Sequence, residues 1–167
     1  LNNGIVIAGF SGIGKTELEK KYKNVIDLDA AEYIYDDTEI MHIPFEQRKG
    51  MNRKKNPNFP KNYIDAIKDA KIKYDLVLVW DRQDIITEYI KNNIDFILCY
   101  PDEKDIITYK IRYKNRGNTD EYIKWKLNQY YEKIPFFNKL CIKKIILSNN
   151  ETLEDYLINN NFNLIKK

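Results

Sequence analysis

With 167 residues, 43% of them hydrophobic and 32% charged, the chain is long enough for one ordinary hydrophobic core and too apolar to be disordered. A net charge of +3 tolerates an anionic ligand but falls short of the basic stripe of a dedicated nucleic-acid binder. No run reaches the roughly 18 apolar residues of a membrane span, no signal-peptide pattern opens the chain, and Cys99 and Cys141 sit singly in apolar runs without metal-site spacing, so buried thiols in a cytoplasmic protein are expected.

Residues 4–8, GIVIA, form a β-branched run that ends at a glycine turn, and TELEKKYK after it carries helix formers at nearly every position. NVIDLD is too short for a helix and predicts a strand from Val25 to Leu28, so strand, helix and strand make a parallel crossover. Residues 30–60 contain breaks at Pro44, Pro57 and Pro60 and a basic stretch with Arg48, Arg53, Lys54 and Lys55; they predict a largely irregular excursion. PKNYIDAIKDAKIKY, with apolar residues at 63, 64, 67, 70 and 74, predicts a helix. DLVLVWD is a continuous apolar run bounded by aspartates, the pattern of a strand buried on both faces. The alternation then repeats, with a helix in QDIITEYIKNN, a strand in DFILCY, and a helix in DEKDIITYKIRYKNR that sets Arg112 and Arg116 on neighbouring turns of one face. After the RGNTD turn, a helix from Glu121 to Lys133 is expected to stop at Pro135. KKIILS supplies a fifth strand, and ETLEDYLINN a closing helix with its capping signal in Asn149 and Asn150. The expected fold is α/β, a single three-layer domain over 1–167 in which helices flank a five-stranded parallel sheet.

Gly9, Gly14, Lys15 and Thr16 satisfy G-x-x-x-x-G-K-[ST] between a predicted strand and a predicted helix, the context that makes this pattern specific. In such a P-loop, Ser11, Gly12, Ile13 and Gly14 wrap their backbone so that successive N–H groups meet phosphate oxygens at a helix start. Lys15 would bridge the terminal phosphates of a nucleoside triphosphate and Thr16 would give its hydroxyl to Mg²⁺, so ATP and Mg²⁺ are the expected ligands. Asp27 and Asp29 stand at the carboxyl edge of the second strand, where parallel sheets bind ligands. Asp27 suits metal waters or the proton of an acceptor hydroxyl; Asp29 suits the acceptor, or equally a turn and helix cap. At the edge of the third strand, Asp81 would bind magnesium indirectly, and Arg82 would pair with it or grip the acceptor. Trp80 reads as core, and His42, the single histidine, as an incidental loop residue.

Taken together, GFSGIGKT, DLD, DLVLVWD, the YPDEKD turn, YKIRYKNRGN and IILSNNETLEDYL resemble the P-loop nucleotide and nucleoside monophosphate kinases of the small bacterial and phage type, over essentially the whole chain. The D-x-D is also similar to the shikimate and gluconate kinase group, where the two carboxylates serve metal and acceptor. The resemblance implies a lid over 103–120 whose Arg112 and Arg116 reach across the transferred phosphoryl, catalytic beside Lys15 and Asp27. It also implies an acceptor-binding segment over 30–60, with Arg48, Arg53, Asp29 and Arg82 as substrate contacts, and transfer of a phosphoryl from Mg-ATP to a ribo- or deoxyribonucleoside monophosphate. The expected partners are thus a nucleoside triphosphate donor and a nucleotide acceptor, with no membrane, and the expected state is a monomer or homodimer. Adenylate kinases carry Asp-Gly-aromatic-Pro-Arg where this chain reads WDRQDI, so acceptor identity stays open. The alternatives are a P-loop kinase of another hydroxyl, on a nucleoside, a DNA end, a modified base or a metabolite, and a non-catalytic ATP-binding module. DRQD lacks the glycine of a GTPase switch, and VWDRQ offers one acid where a remodelling ATPase carries two.

Overall fold

A computed structural model describes residues 3–48 and 51–167. Lys49 and Gly50, inside the expected 30–60 excursion, and the first two residues of the expected domain lie outside the described residues. The strands β1 (Ile5–Gly9), β2 (Val25–Asp27), β3 (Leu76–Trp80), β4 (Ile97–Pro101) and β5 (Lys144–Leu147) form one sheet in the order β2-β3-β1-β4-β5. Each neighbouring pair is parallel, as the alternating pattern predicts.

Helices connect the strands: α1 (Lys15–Lys21), α2 (Ala31–Ile34), α3 (Phe45–Arg48), α4 (Lys61–Lys73), α5 (Gln83–Lys91), α6 (Ile106–Asn115), α7 (Asp120–Lys139) and α8 (Leu153–Asn159). In this order the β1-to-β2 connection runs one way along the sheet and the later ones run the other way. Parallel crossovers are right-handed, so α1 lies on one face and the later connections on the opposite face. The reversal places the carboxyl end of β1 at the switch point of the sheet, where a crevice opens. Coverage of both faces explains the burial of every residue from Leu76 to Val79, and among the described residues no helix is long and apolar enough to cross a membrane.

Several local expectations change. The helix expected to end at Pro135 runs on to Lys139. Proline leaves the carbonyl four residues back, that of Tyr131, without its helical donor, but Tyr131 and Pro135 are both exposed, so water can reach it. The next turn buries Phe137 against Tyr100, with ring centroids 5.3 Å apart, and that burial offsets the proline. The closing helix is capped by Thr152 in a reciprocal box with Asp155, not by the asparagines, both of which take left-handed backbone angles. The helix expected from residue 102 starts at Ile106, after a 3₁₀ turn over Glu103–Asp105 that Asp102 caps. Cys99 is buried as expected, but Cys141 is exposed, turned outward between half-buried Leu140 and Ile142.

The 30–60 excursion is more ordered than its prolines suggest. It contains α2, a 3₁₀ turn over Thr38–Ile40 and α3, and it returns beside itself, with Asp36 N–H on the Lys54 carbonyl at 2.9 Å and Asn56 N–H on the Ile34 carbonyl at 2.8 Å. Asp37 is the hub, accepting Arg48 at 2.9 Å and Arg53 at 2.8 Å on one carboxylate oxygen.

The packing of the last turns of α7 yields a direct test. Phe137→Ala removes a fully buried ring from beyond the proline and should lower unfolding free energy by about 3–5 kcal/mol in urea titration. A loss below about 1 kcal/mol, typical of exposed positions, would contradict the continuous helix.

Candidate active site

The P-loop is held from outside. Tyr113 Oη donates to the Ser11 carbonyl at 2.7 Å, Arg112 Nη1 to the Gly12 carbonyl at 3.1 Å, and the Leu153 N–H to the Ile13 carbonyl at 3.0 Å. A trans peptide points its N–H opposite to its C=O, so the N–H groups of Gly12, Ile13 and Gly14 are directed away from those partners. Gly14, with φ at 103°, turns the chain into α1 through a backbone region that side chains disfavour. At Gly9 a side chain would lie 2.6 Å from the terminal methyl of Ile13, which would have to shift to admit it. Lys15 Nζ rests on the Gly9 carbonyl at 2.7 Å and the Phe10 carbonyl at 3.3 Å, within the loop it is expected to serve.

Around this loop the carboxyl edge of the sheet gathers the predicted acids. A cleft of about 320 Å³ is lined by Lys15, Thr16, Asp27, Asp29, Asp81 and Lys126, among others. Thr16 Oγ1 donates to Asp27 Oδ2 at 2.9 Å, which joins the loop hydroxyl to the β2 edge. Asp29 serves both readings left open by the sequence, since its Oδ1 accepts the Ala31 N–H at 2.9 Å at the start of α2 while the residue lines the cleft. Asp81 is only 2% exposed; Lys133 Nζ donates to its Oδ1 at 2.7 Å, and its Oδ2 is buried without a hydrogen-bond partner.

Two cations beside the cleft acids carry no motif in the sequence, and both come from α7. Lys133 neutralises Asp81, and Lys126 enters the cleft over the rings of Trp125 and Tyr122, at 4.8 Å and 5.7 Å from their centroids. No carboxylate among the described residues forms an ion pair with Lys126. Burial, then the charge of Lys133, pushes its ammonium down to about 8. The only sequence signal was their spacing of seven residues, two turns of one helix face, which points both towards the same edge.

The predicted arginines divide. Arg116, the C-cap of α6, lines the loop mouth with Ser11, Lys15 and Thr16. Arg112 is engaged elsewhere: besides Gly12 it donates to the Asn150 carbonyl at 2.8 Å and side-chain oxygen at 2.7 Å, and its guanidinium lies 4.5 Å from the centre of the Tyr109 ring. Arg48 and Arg53 do not line the cleft. Both bind Asp37, and Arg53, only 4% exposed at its side chain, stacks on Tyr35 at 4.0 Å. Arg82 pairs with Asp84 instead of Asp81 and lies 4.3 Å over the half-buried Trp80 ring. It also lines a second recess with Tyr35, Lys55, Asn56 and Phe59, which shares Ile34 and Trp80 with the main cleft.

The fold and its loop define a P-loop α/β protein. No protein-family model and no curated protein matches the sequence. Among solved structures the chain is similar to a gluconokinase from Sinorhizobium meliloti 1021, with a TM-score of 0.48 and 13% identity, covering 92% of this chain and 86% of that one.

Lys126 carries a stability consequence with a definite sign. Its folded value lies below the ordinary 10.5, so the penalty of burying the charge is complete below pH 8 and disappears as pH rises towards 10.5. Lys126→Met should therefore raise the melting temperature at pH 7, and its advantage over the parent protein should shrink between pH 8 and 10.5. Thermal denaturation across that range is the measurement; an unchanged or lower melting temperature at pH 7 contradicts a half-buried ammonium whose desolvation costs stability.

Proposed function

We propose that this chain is a cytoplasmic, Mg-ATP-dependent phosphotransferase that moves the terminal phosphoryl of ATP to a nucleoside monophosphate. The observation that carries this reading is the 2.9 Å bond between Thr16 and Asp27, made in the same cleft that Lys15, Asp29, Asp81 and Lys126 line. Hard oxygen donors beside a phosphate loop fit Mg²⁺, which takes one or two protein oxygens and completes its shell with phosphate and water. Thr16 and Asp27 would hold it, with Asp81 behind them, and when bound it would withdraw charge from the phosphates.

The chain's own groups supply the rest. The N–H groups of Gly12 to Gly14 and Lys15 receive the donor phosphates, and Arg116 closes the same mouth. Lys126, an ammonium in no ion pair with a carboxylate among the described residues, gains the counter-charge of the transferring group from the α7 side. The acceptor's phosphate oxygen, ionised at neutral pH because a monoester's second pKa is about 6, bonds to the terminal phosphorus as the bond to the donor's bridging oxygen breaks, and Asp29 positions the acceptor through a sugar hydroxyl. A nucleotide fits the acceptor side because the adjoining recess pairs aromatic walls, Tyr35 and Phe59, with the cations Lys55 and Arg82. Flat apolar walls suit a base, and a guanidinium suits a phosphate.

The test is a panel of ribo- and deoxyribonucleoside monophosphates, nucleosides and short DNA with Mg-ATP, scored by ADP release and product mass. A nucleoside diphosphate from one monophosphate is the expected product, and Lys15→Ala should reduce its formation by at least about a hundredfold with the fold retained by circular dichroism. Turnover that survives Lys15→Ala would sink the assignment. Transfer only to nucleosides or DNA would make it a kinase of another hydroxyl, and ATP binding without transfer to any acceptor would favour a regulatory module.

A further inference from the structure

Strands β2 and β3 separate just before the cleft, and two tyrosine hydroxyls fill the separation. Their register pairs Asp27 with Leu78, and the Leu28 N–H reaches the Leu78 carbonyl at 2.9 Å. Continued parallel pairing would next join the Trp80 N–H to the Leu28 carbonyl, and the Ala30 N–H to the Trp80 carbonyl. Instead, the Trp80 N–H donates to Tyr63 Oη at 3.0 Å, and that hydroxyl donates onward to the Leu28 carbonyl at 2.9 Å. The Trp80 carbonyl accepts from Tyr89 Oη at 2.9 Å. One ladder bond is thus replaced by a bridging phenol from α4, and the next carbonyl is taken by a phenol from α5 where the facing chain turns into α2 at Ala30, whose backbone is already helical.

Both rings are fully buried, which fixes their hydroxyls from outside the sheet. Burial pushes both phenols well above their ordinary value, so each keeps the proton it donates. Beyond the inserted hydroxyls, Asp29 and Ala30 form one lip of the main cleft, and Trp80 and Asp81 form the other. A direct ladder would draw these lips to the ordinary strand spacing of about 4.8 Å. We propose that Tyr63 and Tyr89 are positioning residues whose hydroxyls set the gap between these lips, and so place the acceptor oxygen relative to Asp29 and the P-loop. The kinetic consequence rests on the phosphotransferase reading; the spacing does not.

Tyr63→Phe keeps the ring and removes the hydroxyl. Its crystal structure should show the Trp80 nitrogen and Leu28 oxygen closed to a direct hydrogen bond of about 2.9 Å. The kcat/KM for the acceptor should fall by roughly tenfold or more, because a small misplacement of reacting groups is costly, while the Kd of a non-hydrolysable ATP analogue stays unchanged. A purely structural tyrosine would lower the melting temperature and leave this acceptor-to-donor contrast absent. A gap kept open, for instance by water in place of the hydroxyl, overturns the proposal, as does closure without a change in the acceptor's kcat/KM. If the parent protein transfers phosphoryl to no acceptor, the phosphotransferase reading fails and the interstrand distance alone decides the wedge. Should Tyr63→Phe not fold, Tyr89→Phe, which frees the Trp80 carbonyl, is read by the Trp80-to-Leu28 separation and the same acceptor-to-donor contrast; an unchanged separation or an unchanged contrast overturns the proposal.

Discussion

Three successive carbonyls of the P-loop point outward into hydrogen bonds with α6 and the start of α8, and the geometry of the site follows from that. Residues 10–14 belong to no helix or strand, and of them only Phe10 and Ile13 are buried in the core. Left to water, their peptides would sample many orientations, and ordering them at the moment of binding would cost conformational entropy. Tyr113, Arg112 and the Leu153 amide set that orientation beforehand, turning the opposite edges of the same peptides towards the cleft. The ring contacts of Tyr109 and Tyr113 around Gly12 add a steric wall to the same constraint. Arg112 is consequently a support of the loop, and Arg116, one turn further on, is the guanidinium left at its mouth.

The charges of the cleft follow a similar division. Asp81 is deep in the sheet edge and tolerates burial because Lys133 lies against it. Asp27 and Asp29 are held by a threonine hydroxyl and a backbone amide, and both line the cleft. Lys126 lies over two aromatic faces, and a partly desolvated cation in that setting costs stability that an anion can return. Such an arrangement is destabilising for the protein alone and favourable with phosphate charge present, the trade expected of a binding site. The 20 residues of α7 make it possible, since a helix stopped before Pro135 would lose the Phe137 anchor that holds its far end to the core.

Much of this was legible in the chain. The β-branched runs, the glycine-lysine-threonine loop and the D-x-D all encode local geometry, and they identify the parallel sheet, the phosphate loop and its acids. The misreadings are equally specific. Proline at 135 signals a stop by local rules, but burial of Phe137 outweighs a proline whose orphaned carbonyl faces water. Arg48 and Arg53 read as contacts for an acceptor phosphate, yet Asp37 engages both of them away from the cleft. Nothing local announces that, because a long guanidinium can reach many partners and the fold selects one.

By itself, then, the sequence determined the elements, their parallel order of alternation and the identity of the phosphate loop, because helix, strand and tight turn depend on neighbours a few residues apart. Only the tertiary structure decided which side chains meet. Arg112 finds its carbonyl 100 residues away and Lys133 its carboxylate 52 residues away. The hydroxyl of Tyr63 reaches Leu28 across 35 residues, between two strands whose pattern alone would pair them directly. Such contacts are set by where packed helices come to rest on the sheet, and no local periodicity carries that information.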